Sequence, residues 1–172
     1  MAPWFLPPNP FSRGRADRLK SPRLALHLLS LGLLLLYVLP PWCDRRALWL
    51  IPGDGWRWLG LVLELVGSVF SIWGPYHLGR NFSGYVTLQE GHTLVTDGPY
   101  AIVRHPRYLG LISHLVGVSL VHRAGLALLL DVGAVALLVA RAATEDRLLA
   151  EEFGDEWHTW AQRTKRLVPA VW

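Results

Sequence analysis

Fourteen residues concentrate the reactive side chains of this sequence: Asp97-Gly98-Pro99-Tyr100-Ala101-Ile102-Val103-Arg104-His105-Pro106-Arg107-Tyr108-Leu109-Gly110. Arginines, tyrosines and a histidine crowd together where a polar stretch meets an apolar run starting at Leu109. A prolyl ring disfavours helix in the residue before it, so Gly98 and His105 are expected to be extended. Pro106 then suits the first position of a helix. Arg104 and His105 would stand at that helix N-terminus, where backbone N–H groups and the dipole favour an anion. A second charged group lies at Arg141, Glu145 and Asp146. The four-residue step from Arg141 to Glu145 brings two side chains together on one helical face.

The surrounding chain is built for a membrane. Of its 172 residues, 52% are hydrophobic and 17% charged, against about 25% charged in a soluble domain. The net charge of +4 does not point to nucleic acid, because the basic residues flank apolar runs and form no single face. Cys43 is the only cysteine, so neither a disulfide framework nor a thiolate cluster is expected. The tryptophans gather at the ends of apolar runs, as an interfacial belt requires.

The patterning predicts an all-α, multi-pass transmembrane helical bundle of about four spans, in a single membrane domain. Residues 1–23 are a basic N-terminal segment; no small-x-small cleavage site follows Leu39, where the sequence runs Pro40-Pro41-Trp42-Cys43, so the first span, Leu24 to Leu39, is read as uncleaved. The second runs from about Trp56 to Trp73, so the first two spans occupy 24–73. Residues 74–107 form a loop. The third span, from Pro106 or Tyr108 to Val121, and the fourth, Leu126 to Ala140, form a helical hairpin over 108–140. His122-Arg123-Ala124-Gly125 is its tight turn. With four crossings, 1–23, 74–107 and 141–172 share one side and hold thirteen of the seventeen Lys and Arg residues. The positive-inside rule makes that side cytoplasmic, with both termini and the charged motifs on it. In a bacterium the membrane would be the cell inner membrane.

The C-terminal segment 141–172 should hold short cytoplasmic helices. Leu148, Leu149 and Phe153 share a face. Gly154 suits a helix end, and Asp155 an N-cap for a last helix with Trp157 and Trp160. Glu151, Glu152 and Glu156 read as a solvated face. Glu64 and Asp131 are acids within spans, which makes each a functional candidate. The plainer reading, preferred here, is that both face the bundle interior beside a polar neighbour such as Ser68 or His114. Glu64-Leu65-Val66-Gly67 lies within a span, lacks further glycines and has no β-α alternation around it. His27, His105 and His114 invite a metal or haem reading, but ligand spacing is absent. His122 and His158 read as loop or surface residues, as does His92 on position alone.

Gly98-Pro99-Tyr100 followed by Arg104-His105-Pro106-x-Tyr108 resembles the signature of the isoprenylcysteine carboxyl methyltransferase family, membrane enzymes related to phospholipid methyltransferases. The approach is also similar, with Leu78-Gly79-Arg80-Asn81-Phe82-Ser83 and then Gly91-His92-Thr93-Leu94-Val95-Thr96. So is the ending: Arg141, Glu145-Asp146, Leu149, Phe153-Gly154, Trp157 and Trp160. Asp146 stands where Glu is usual, and Trp twice replaces Tyr. The likeness covers about residues 78–169.

The resemblance implies methyl transfer from S-adenosyl-L-methionine, with no metal, to a lipophilic or small acceptor: a carboxylate of isoprenylcysteine type, a phospholipid amine or a thiol. It implies cofactor contacts at His92, Leu94, Val95, Gly98, Tyr100, Arg104, His105, Pro106, Tyr108, Glu145 and Asp146. Arg104 and His105 would take the cofactor carboxylate, and Glu145 with Asp146 the ammonium. Tyr100, Tyr108, Leu94 and Val95 would wall the adenine and ribose. Arg141 and Glu145 would serve catalysis, Arg141 by holding an anionic acceptor. Membrane lipids are the remaining partners, nucleic acid is not one, and the oligomeric state is open. A non-enzymatic haem-binding or adaptor membrane protein is the alternative.

Overall fold

The computed structural model describes residues 37–79, 82 and 93–168. Most of the first expected span, the Arg80-Asn81 approach and His92 lie outside the described residues. Those described are helical: α1 over 37–46, then α2 (Gly55–Leu78), a 3-10 turn (Gly98–Ala101), α3 (Pro106–Val121), α4 (Gly125–Phe153) and α5 (Asp155–Arg163). Among them the only extended pairings noted are two isolated bridges, Leu50 with Ala124 and Val103 with Lys165. With 24 and 29 residues, α2 and α4 are each long and apolar enough to cross a membrane, and α3 is shorter at 16.

Several boundaries differ from expectation. Helix α1 continues through Pro40-Pro41 to residue 46 instead of ending at Leu39. Helix α2 likewise runs through Pro75 to Leu78, beyond Trp73. A prolyl ring removes one donor and bends a helix, but packing against neighbours sustains helices of this kind past it. The fourth apolar run and the charged segment after it form one continuous helix, α4, with no break at Ala140. Nothing between Ala140 and Phe153 is a Gly or Pro, so the backbone has no cause to stop. Gly98 is not extended but left-handed, with φ 55°. Glycine lacks the Cβ that closes that region to other residues. Gly154, also left-handed at φ 51°, holds the cap position of α5 expected for Asp155. Its N–H donates to the Ala150 carbonyl at 3.0 Å, which ends α4 and lets α5 start at the next residue.

The described residues fall into two compact units. One takes 37–69 and 110–139, and the other takes 70–79, 82, 93–109 and 140–168. In the first, α2 and α3 meet backbone to backbone. A Cβ on Gly60 would lie 2.6 Å from the Val121 nitrogen and 2.7 Å from the Gly117 oxygen, and one on Gly67 would lie 3.0 Å from the Gly110 oxygen. Residue numbers rise on one helix as they fall on the other, so the two are antiparallel. Small residues permit such approach, which is how helices associate in lipid, where no hydrophobic force drives them together. The turn at His122-Arg123 has Arg123 at φ 53°. Residues 49–51 are tied to it: Ile51 N–H donates to the Arg123 carbonyl at 2.8 Å, and Gly125 N–H to the Trp49 carbonyl at 3.0 Å.

The acids of this unit follow the plainer reading. Glu64 pairs with His114 Nδ1 at 3.0 Å. Asp131 is 2% exposed and has the buried Ser119 as its polar neighbour. His122 lies in the turn, as read, with Nδ1 3.3 Å from Asp44 Oδ2.

Candidate functional site

The motif residues belong to the second unit, where three stretches of chain converge. The first is the 3-10 turn with the start of α3. Asp97 Oδ1 lies 3.0 Å from His77 Nε2 near the end of α2. This bond holds the Asp97 carboxyl below the usual range, the partial burial of the group opposing it. Gly98 rests on the His77 ring, where a Cβ would come within 2.6 Å of Cε1. Tyr100 is turned inward and 6% exposed. Its hydroxyl donates to the Gly74 carbonyl at 3.3 Å. Its own carbonyl accepts from Trp160 Nε1–H at 3.1 Å. Both polar ends of Tyr100 are thus used in holding the turn. Pro106 opens α3 as expected and is buried against Gly74. Leu94 and Val95 are half-buried in the irregular stretch before the turn.

The second stretch is the later part of α4. His105 is 6% exposed. Its Nε2–H donates to Asp146 Oδ1 at 2.8 Å, and its Nδ1 lies 3.6 Å from Glu145 Oε2. Burial alone would lower the imidazole pKa, but the hydrogen bonds to Asp146 and Glu145 outweigh it, and the net effect is upward from 6.5. The two carboxylates thus favour the protonated ring over the neutral one. Tyr108, 5% exposed, donates its O–H to Glu145 Oε1 and accepts from Arg141 Nε–H at 2.7 Å. Arg141 Nε is 3.6 Å from the same Glu145 oxygen. In this unit α3 and α4 are antiparallel, since His105 meets Asp146 and Tyr108 meets Arg141.

The third stretch is α5 and the chain after it. Arg104 donates through Nη1 to the carbonyls of Ala161, at 3.0 Å, and Thr164. Its guanidinium carbon lies 5.7 Å from the centre of the Trp157 ring, and its Nε is 3.4 Å from Asp146 Oδ1. A cation on the last carbonyls of a helix also complements its dipole. Arg166 Nε–H donates to Asp146 Oδ2 at 2.7 Å.

The structure thus brings Arg104, His105, Tyr108, Arg141, Glu145 and Asp146 into one network. It turns Tyr100 away into the turn's own support, and His92 is not described. Arg104, placed by sequence at an anion site, is occupied with the end of α5. Of the two acids, Glu145 is the more open, with its side chain 25% exposed against 4% for Asp146. Sequence reasoning missed His77, Gly74 and Arg166. His77 carried a detectable signal in its place one turn beyond Gly74 at the end of an apolar run. Arg166 carried none, because its neighbours in sequence say nothing about Asp146.

The chain matches the profile of the isoprenylcysteine carboxyl methyltransferase (ICMT) family over residues 58–151. It is 29% identical over 133 residues to protein-S-isoprenylcysteine O-methyltransferase B of Arabidopsis thaliana, covering 70% of this chain and 64% of that protein. It is 30% identical over 135 residues to the A form of the same plant, covering 71% and 66%. Against protein-S-isoprenylcysteine O-methyltransferase of Schizosaccharomyces pombe it is 31% identical over 96 residues, covering 54% and 41%. The chain therefore spans about two thirds or less of the length of these curated relatives.

Proposed function

The chain belongs to the isoprenylcysteine carboxyl methyltransferase family, and from that premise we propose that it is an integral-membrane methyltransferase dependent on S-adenosyl-L-methionine. The observation that carries this reading is the bond between His105 and Asp146. It joins the two separated segments on which the family likeness rests. The acceptor is a lipophilic or small molecule presented from the membrane: a prenylcysteine carboxylate, a phospholipid amine or a thiol.

The donor set suits the cofactor. The guanidinium groups of Arg104, Arg141 and Arg166, with the His105 imidazole, surround the two carboxylates of Glu145 and Asp146. The excess positive charge favours a carboxylate ligand. Glu145, the more open acid, would take an ammonium. Asp146 is less available, because His105 and Arg166 already use its oxygens. Leu94, Val95, Pro106 and Tyr108 would complete the binding surface.

When bound, the cofactor supplies an electrophilic methyl group. The protein's part is alignment and exclusion of water. Arg141, held by Tyr108 and Glu145, would orient an anionic acceptor. A carboxylate or thiolate acceptor needs no general base. An amine must first lose a proton, which the carboxylate of Glu145 could receive. Four spans, with both termini and the motif segments cytoplasmic, complete the proposal.

Purified protein should bind S-adenosylhomocysteine saturably and show no Soret absorption. His105→Ala and Glu145→Ala should each abolish that binding without loss of expression. If both variants bind as wild type does, the site is elsewhere. Incubating membranes with methyl-labelled cofactor and identifying the labelled product would name the acceptor.

A further inference from the structure

The segment after α5 runs beside the start of the motif. Val103 and Lys165 form a parallel bridge. Arg104 N–H donates to the Lys165 carbonyl at 2.8 Å, and His105 N–H to the Arg166 carbonyl at 3.1 Å. These backbone bonds hold residues 165 and 166 against residues 103–105. Side chains then pin the segment: Thr164 is 5% exposed and Leu167 is 2% exposed. Thr164 also closes α5 by donating its hydroxyl to the Trp160 carbonyl at 3.0 Å.

The register has a consequence for the imidazole. From it, Arg166 reaches Asp146 Oδ2 at 2.7 Å, while Asp146 Oδ1 takes His105 Nε2–H at 2.8 Å. A closed circuit results: His105 side chain, Asp146 carboxylate, Arg166 guanidinium, and the backbone bond back to His105. A carboxylate held on one oxygen can swing about its Cβ–Cγ bond. Held on both, it has one plane, and so does the ring bonded to it. Fixing Nε2 in this way directs Nδ1 toward Glu145. The same logic orients histidines in metal sites, where a partner on the far side sets the ring.

Resting on the methyl-transfer reading above, we propose that Arg166 is a positioning residue of the site: it locks the Asp146 carboxylate, which locks the His105 ring, and the segment 164–167 is thereby part of the cofactor site. Arg166 acts through Asp146 and need not touch cofactor or acceptor.

The test measures S-adenosylhomocysteine affinity and melting temperature on the full chain in detergent. Four proteins are compared: wild type, Arg166→Ala, Arg166→Lys and Arg163→Ala. Arg163 is an exposed basic residue at the end of α5 and serves as the control. Losing a charge-assisted bond to a buried carboxylate should weaken binding about tenfold or more in Arg166→Ala. Arg166→Lys, which keeps the charge and a donor, should recover part of that loss, and Arg163→Ala should bind as wild type. Wild-type affinity in Arg166→Ala overturns the proposal. So does an equal loss in the Ala and Lys variants that tracks a fall in melting temperature, since that marks a purely structural role. Wild-type protein that binds no S-adenosylhomocysteine removes the methyl-transfer reading itself, and this proposal with it.

Discussion

His105 Nε2 lies 2.8 Å from Asp146 Oδ1, across 41 positions of sequence. Both groups are buried, so each is costly to hold without the other. Removing one partner of a buried charged pair leaves the other uncompensated.

The pair has a pH signature. The pKa of His105 is raised above 6.5 in the fold. A group raised in this way contributes stability that is complete below about 6.5 and is lost as pH climbs through the folded value. The gap in melting temperature between wild type and His105→Gln should therefore be widest near pH 6 and shrink as the medium is made alkaline. A gap that grows with pH would mean the ring is neutral.

Tyr108→Phe isolates the other half of the network. The hydroxyl takes a bond from Arg141 and gives one to Glu145, while a phenyl ring preserves the packing. Bonds to charged groups are worth about 1.5–3 kcal/mol, so kcat/KM for methyl transfer should fall roughly ten- to a hundredfold. Steady-state kinetics with radiolabelled cofactor would measure this. Unchanged kinetics would mean that Arg141 and Glu145 hold their places through their own ion pair.

Gly98→Ala should loosen the turn that carries Tyr100. Its φ of 55° disfavours any Cβ, and His77 occupies the space. The backbone alone costs about 1–2 kcal/mol, a fall of several degrees in melting temperature. Adding His77→Ala should relieve the steric part and leave the backbone part. A double variant no more stable than the single one would place the whole cost in φ.

Two helix glycines should respond in opposite ways. Gly60→Ala drives a Cβ into the backbone of α3, while Gly133→Ala meets nothing within 4 Å. The first should destabilise by about 1–3 kcal/mol. The second should be neutral or stabilising, since alanine exceeds glycine in helix propensity by about 1 kcal/mol. Thermal unfolding in the same detergent would compare them, and equal effects would mean that α2 and α3 are not in backbone contact.

Much of this protein could be read along the chain. Apolar run length, Trp placement and the two proline-bounded motifs are local properties, and local properties survive in one dimension. They were enough for the helical class and for Pro106 as the start of α3, whereas the grouping of Arg104, His105, Tyr108, Arg141, Glu145 and Asp146 came from the resemblance to a known family. Helix ends were less legible. Pro40, Pro41 and Pro75 look like stops, and only packing decides whether a helix outlasts the lost hydrogen bond.

How the set is divided in space was decided by tertiary structure. Sequence offered both Glu145 and Asp146 to an ammonium and gave Glu145 alone a catalytic role, but it could not say which acid is enclosed; adjacent residues on a helix point about 100° apart. One side chain therefore stays partly open beside Arg141, and the other is enclosed by His105 and Arg166. It likewise made Tyr100 and Tyr108 alike, although one braces a turn and the other bridges two charges. Arg166 enters only through the fold, because a chain return that lays residues 165 and 166 along 103–105 leaves no periodic or compositional trace.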